Sequence, residues 1–179
     1  MSFDNGITNV RAWPWACGAN TETVYFSSPD YNALGNFGGV SMHVSPAHQD
    51  IAIPCVRLDD VLADHRVGLL KIDVEGFELD TLRGGVDLLA ASRPVLYLEN
   101  DRVDKSQALI EWIWSQGYQL WWHFSPLFNP ANFFGTQENI YGDVGSCNML
   151  ALPRECGLAV TDLQEVTDAT YHPFREESS

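Results

Sequence analysis

The chain has 179 residues, of which 45% are hydrophobic and 12% aromatic, so it can bury the core of one globular domain. Ten Lys and Arg against 24 Asp and Glu leave a formal net charge of −14 at pH 7, which argues against nucleic acid and anionic membranes as partners. The four cysteines and five histidines are too scattered for a zinc knuckle, a disulfide scaffold or a histidine metal site, and no apolar run spans a membrane, so we expect a soluble, unprocessed, cytoplasmic protein.

The first part of the chain predicts a sheet edge beneath a long loop. Residues 9–13 and 23–26 have the pattern of short strands, and the Cys-Gly-Ala-Asn segment at 17–20 favours a turn between them. Residues 27–49 are rich in Ser, Pro, Asn and Gly. We therefore expect a loop there that could cover a substrate, with a short strand at 40–44.

Strands and helices alternate in the middle of the chain. The predicted elements are a strand at 51–56, a brief helix at 58–62, a strand at 67–73, two short helices between 77 and 89, and a strand at 95–99. Asp59 can cap the first helix, and Gly84 and Gly85 separate the two later ones. The run at 67–73 is nearly continuous in apolar residues, as expected of a central parallel strand buried on both faces.

The last part of the chain predicts one clear helix and two strands. The helix covers 105–116, with Asp104 as its N-cap and Gly117 as its stop, and the strands cover 118–124 and 147–152. This order predicts an α/β sheet that ends in a C-terminal antiparallel hairpin. We assign 1–156 to this domain and 157–179 to an acidic tail, for which weak patterning predicts partial disorder.

Acidic residues stand where two predicted parallel strands end. Asp73 and Glu75 follow the strand at 67–73, and Glu99 ends the next strand. Ligands of open α/β sheets bind beyond the carboxyl ends of the strands, so these carboxylates could face a substrate. His123 alternates with aromatic residues along its strand and could reach the same crevice. For Lys71, inside an apolar strand, we expect a salt bridge to Asp59 or Asp60.

Five short motifs follow one another through the middle of the chain: Leu-Asp-Asp at 58–60, Lys-Ile-Asp-Val-Glu-Gly at 71–76, Leu-Arg-Gly-Gly at 82–85, Arg-Pro at 93–94 and the strand-ending Glu99. In kind and order they resemble the motifs of the FkbM family of S-adenosylmethionine-dependent methyltransferases. The Ser-Cys-Asn-Met-Leu segment at 146–150 is similar to the closing strand of the family. The likeness therefore extends loosely over residues 9–153.

The resemblance implies a partial Rossmann-like methyltransferase sheet and methyl transfer from S-adenosylmethionine to a hydroxyl of a small molecule or glycan. Asp73 is the first candidate, and Glu75 the second, for taking the proton of that hydroxyl. Glu99 and His123 are candidates for binding the substrate. We assign no cofactor-binding residues, because the family's Asp-x-Gly-Ala-Asn-x-Gly loop is matched at 17–20 by three letters alone.

The likeness covers the C-terminal portion of such an enzyme, since the first strands of the family's sheet have no counterpart. A sheet that lacks those strands has an unpaired edge, which a second copy or a partner chain could cover. Three other interpretations stay open. Asp73 and Glu75 could cap only helix and loop amides, the domain could be a noncatalytic relic or interaction module, or Asp73, Glu75 and Glu99 could bind magnesium or calcium.

Overall fold

The computed structural model describes residues 8–28, 30, 32, 39–47 and 50–175. In chain order its elements are β1 (Ala16–Cys17), β2 (Glu22–Ser27), β3 (Asp50–Val56), α1 (Leu58–Leu62), β4 (Leu69–Ile72), α2 (Glu78–Arg83), α3 (Val86–Ser92), β5 (Val95–Glu99), α4 (Val103–Ser115), β6 (Tyr118–Pro126), β7 (Gly145–Pro153), a 3-10 turn (Arg154–Cys156) and β8 (Gln164–Glu165).

The described strands form two sheets, and the chain has the α/β class that the sequence predicts. The smaller sheet has the order β1-β3-β2, with β1 parallel and β2 antiparallel to β3. The larger sheet has the order β4-β5-β7-β6-β8. In it β4 and β5 are parallel, and β7 runs antiparallel to both of its neighbours, β5 and β6. The strands β4, β5 and β6 therefore point the same way.

One face of the larger sheet packs on helices. Leu96 and Leu98 of β5 are fully buried and pack in one cluster with Leu109, Ile110 and Ile113 of α4. Because side chains alternate along a strand, Tyr97 and Glu99 of β5 point to the opposite face. This opposite face carries the polar residues that form the candidate site.

Most predicted elements are confirmed, and three of the differences concern strands. Residues 9–13 form no strand, and β1 instead ends at Cys17, the first residue of the predicted turn. The strand predicted at 40–44 is reduced to a bridge between His43 and Tyr25. Much of the predicted loop at 27–49 lies outside the described residues, so its role as a cover stays a prediction. The strand β4 is not central, because among the described strands it pairs with β5 alone, and Leu69 is 62% exposed.

The aspartates predicted to cap helices have other roles. Asp59 lies inside α1, where its carboxylate accepts a hydrogen bond from the Leu88 backbone N–H at 2.9 Å and so joins α1 to α3. Asp104 lies in the first turn of α4, whose N-cap position is Arg102. Both helices begin without a side-chain cap, and tertiary contacts rather than capping fix their first turns.

The acidic tail packs on the domain up to the last described residue, Arg175. β8 pairs with β6, and Val166, Ala169 and His172 are buried. The His172 Nε2 atom lies 2.7 Å from the backbone oxygen of Asn100. These apolar and hydrogen-bonded contacts extend the core into the tail, which the acidic composition of the segment did not indicate.

Among the described helices, none has both the length and the apolar character needed to cross a membrane.

Candidate functional site

Carboxylates gather where β4 and β5 end. Glu99 is the last residue of β5, and Asp73 follows directly after β4. Because the two strands are parallel and paired as Ile72 with Leu98, both acids lie at the carboxyl edge of the larger sheet. This is the edge at which open α/β sheets bind ligands.

The backbone turns sharply between β4 and α2. Glu75 has φ 51° and Gly76 has φ 96°, so the chain passes through two left-handed residues before the helix. The buried Glu78 accepts a hydrogen bond from the Gly76 N–H at 2.9 Å, and Lys105 Nζ donates to the Gly76 oxygen at 2.8 Å. Glu78 therefore serves the helix start, and the side chain of Glu75 is free for other contacts.

Two of the acids are held by cations. Asp73 Oδ2 lies 2.6 Å from Lys71 Nζ, and Glu75 Oε2 lies 3.1 Å from Arg102 Nη2. The predicted pairing of Lys71 with Asp59 or Asp60 is wrong, because Arg57 pairs with both of those aspartates. Lys71 instead extends along the edge of the sheet to the acid two residues later.

Arg102 also connects the edge to the loop before β3. Its Nη2 atom donates to Ser41 Oγ at 3.0 Å as well as to Glu75. Part of the loop that the sequence predicts as a cover therefore touches the carboxylate edge.

Glu99 has the most perturbed carboxyl group of the cluster. Burial, and then the negative charges of Asp73, Asp101 and Glu75, raise the pKa of Glu99 to about 7. A hydrogen bond from Ser146 Oγ at 3.3 Å acts in the opposite direction. Glu99 therefore changes its charge near neutral pH, as suits a general base.

His123 lies on the same sheet face and is bonded to a tyrosine. The Tyr97 hydroxyl oxygen is 2.6 Å from His123 Nδ1, and the two rings are 5.7 Å apart. Burial raises the pKa of Tyr97, and the nearby positive charge of Lys71 opposes that shift. The structure thus brings Asp73, Glu75 and Glu99 together, with His123 and Tyr97 as a polar pair on the adjoining surface.

Sequence reasoning missed Tyr97, Asp101, Arg102 and Ser146 at this site. Alternation along β5 could have found Tyr97, two residues before Glu99. Asp101 follows β5 directly and accepts a hydrogen bond from the Cys147 N–H at 2.6 Å. Arg102 and Ser146 come from a helix start and a distant strand, and no local signal in the sequence connects them to Glu99.

The geometry gives no support to a metal site. Among the described residues, no three His, Cys, Asp or Glu side chains are placed so that they could hold a metal ion. The cations Lys71 and Arg102 already pair with Asp73 and Glu75, which explains why the acids do not form a ligand set. The magnesium or calcium interpretation therefore gains nothing from the described residues.

Of the groups of S-adenosylmethionine, the described residues fit the charged sulfonium. The acids of the edge would complement the positive charge of its sulfonium. Gly18, in the segment that matches three letters of the family's cofactor loop, is buried, and a Cβ atom there would lie 2.8 Å from Cys55 Sγ. The lack of a side chain at Gly18 is therefore explained by packing within the protein, without a bound nucleoside.

Comparison with known proteins identifies the family. Neither curated proteins nor solved structures gave a match. The family model of the methyltransferase FkbM domain matches residues 11–120, which is more than half of the 179 residues. The match includes Asp73, Glu75 and Glu99 and ends before His123 and Ser146. The chain therefore belongs to the FkbM domain family of methyltransferases.

Proposed function

We propose that the protein works in S-adenosylmethionine-dependent O-methylation, as the acceptor side of a partial Rossmann-like methyltransferase sheet. The observation that carries this proposal is the position of Glu99 beside Asp73 and Glu75, at the edge where such sheets bind ligands. The family membership supports methyl transfer.

S-adenosylmethionine, when bound, supplies an electrophilic methyl group on a positively charged sulfur. Transfer to an acceptor hydroxyl would form an oxygen–carbon bond and break the carbon–sulfur bond, with the sulfur leaving as a neutral thioether. The proton of the hydroxyl passes to a carboxylate of the protein. The chain must therefore hold the hydroxyl in line with the methyl group and accept one proton.

Of the three carboxylates at the edge, Glu99 is the best suited to accept the proton. Its pKa of about 7 matches a base that must be ionised yet basic near neutral pH. Asp73 and Glu75, the catalytic pair expected from the resemblance, are each neutralised in part by a cation. We assign them an electrostatic part: their charges keep the Glu99 carboxylate basic and attract the sulfonium.

The test is a Glu99→Gln variant assayed for transfer of labelled methyl groups from S-adenosylmethionine to aromatic alcohols and alkyl glycosides. Loss of a general base lowers the rate by about 100-fold or more. Glu111→Gln, which removes an exposed charge on α4, is the control and should keep full activity. Equal rates for Glu99→Gln and the unchanged protein would refute the assignment.

A noncatalytic interaction module is the second candidate. The packing of Gly18 against Cys55 favours it, because this glycine is then explained without a bound nucleoside. Isothermal titration with S-adenosylmethionine separates the two: heat of binding supports the enzyme, and its absence, together with an unchanged cellular role for Asp73→Ala, supports the module.

A further inference from the structure

A cavity of about 320 Å³ lies in the long connection between β6 and β7, residues 127–144. Leu127, Phe128, Ile140 and Tyr141 form its apolar wall. The volume is within the range of small-molecule sites. Ile140 is 74% exposed, so a ligand in the cavity would remove apolar surface from water.

Polar side chains around the cavity are used to shape the loop itself. Asn132 Oδ1 accepts a hydrogen bond from the Thr136 N–H at 3.0 Å, and Asn132 Nδ2 donates to the backbone oxygens of Asn129 and Thr136. Asn129 Oδ1 accepts from the Ala131 N–H at 2.9 Å. Glu138 is the one charged residue in the lining, and with both asparagines bonded to the loop backbone the rest of the wall offers a ligand chiefly apolar contact.

The connection that lines the cavity leaves the sheet at the same edge as the carboxylates. Because β6 runs parallel to β5, its last residue lies at the edge that also carries Glu99. The ladder continues past this point, since the Leu127 N–H donates to the Val144 oxygen at 3.0 Å. Val144 is two residues, or about 7 Å, from Ser146, which donates to Glu99.

Alternation along β6 fixes which sheet face the cavity adjoins. Residues 123, 125 and 127 point to one side, and His123 bonds to Tyr97 on the face of Glu99. Leu127 therefore extends the polar surface of the candidate site into an apolar wall.

We propose that this β6–β7 cavity binds the apolar ring of the methyl acceptor while the hydroxyl of the acceptor lies at Glu99, an inference that rests on the proposed function. The substrate class is then an alcohol or phenol with an aromatic or aliphatic ring, rather than a bare sugar. Affinity comes from the ring in the cavity, and reactivity comes from the carboxylate edge.

The full chain can be tested by saturation-transfer NMR with naphthylmethanol as the aromatic alcohol and methyl glucoside as the sugar. Naphthylmethanol should bind and the glucoside should not. Ile140→Asp places a charge in the wall and should weaken naphthylmethanol binding about tenfold, the equivalent of losing one apolar side-chain contact. Phe133→Asp is the matched control, because Phe133 is 95% exposed in the same loop and does not line the cavity.

Unchanged binding to Ile140→Asp, equal losses in both variants, or equal binding of the glucoside would overturn the cavity proposal. The proposed function fails separately, when Glu99→Gln keeps its methyl-transfer rate. If naphthylmethanol binding then still depends on Ile140, the cavity stands as a ring-binding site without the base.

Discussion

The ionisation of Glu99 links the candidate site to the pH dependence of the protein's stability. Its pKa is about 7 in the folded chain and lies near the ordinary glutamate value of 4.5 when the chain is unfolded. Between these values the folded state holds a proton that the unfolded state has released. The free energy of unfolding therefore falls as the pH rises through this interval. It stays lowered at higher pH, where Glu99 is ionised in the folded state.

We expect Glu99→Gln to be more stable than the unchanged protein above neutral pH. Glutamine cannot ionise, so it avoids the burial of a charge and then the repulsion by Asp73 and Asp101, and it can still accept the hydrogen bond from Ser146. Thermal unfolding at about pH 5.5 and about pH 8.5 should show a gain in Tm that grows with pH. Glu111→Gln should show no such growth, and a constant difference for Glu99→Gln would contradict the linkage.

At the scale of elements, Gly84 is the point where four elements meet. It separates α2 from α3, and its backbone oxygen accepts a hydrogen bond from the Asp59 N–H of α1 at 2.9 Å. The end of β1 lies against it, so that a Cβ atom at Gly84 would be 2.0 Å from the Gly18 oxygen. The glycine of the Leu-Arg-Gly-Gly motif is required by this close approach, since its φ of −76° suits any residue.

Gly84→Ala should lower the free energy of unfolding by about 3 kcal/mol, because the added methyl group overlaps backbone that cannot rotate away. The gain in helix propensity, about 1 kcal/mol at most, is smaller than this clash. Gly68→Ala is the matched control: its Cβ would meet nothing within 4 Å, so we expect a change within about 0.5 kcal/mol. Denaturant midpoints that are alike for the two variants would contradict this.

Local sequence patterns predicted where helices and strands lie but not which strands pair with each other. The strand at 95–99 and the break at Gly84 follow from apolar runs and glycines, which act within a few residues. The apolar run of β4 looked central, yet Leu69 lies on an exposed edge, because which strand pairs with which depends on distant parts of the chain. For the same reason Asp73 and Glu99 were found as candidates, while Arg102 and Ser146 were not.

At the scale of the whole molecule, two features act against each other. In the described part of the chain, the edge of β4 has no strand beside it, and such an edge can pair with another chain. The net charge of −14 makes two copies repel each other. Salt screens this repulsion over a Debye length of about 10 Å at 0.1 M and leaves backbone pairing intact.

We therefore propose that a second copy covers the β4 edge, and that dimerisation strengthens with salt. Sedimentation velocity at about 0.02 M and about 0.5 M NaCl should show a dimer fraction that rises with ionic strength, because screening weakens the long-range repulsion more than it weakens contact at the edge. Leu69→Lys adds a charge beside Lys71 on that edge and should keep the protein monomeric. Leu158→Lys is the control, since Leu158 is 64% exposed against 62% for Leu69 but lies outside the strands. A monomer at every salt concentration, or the same response from both lysine variants, would exclude β4 as the surface that copies share.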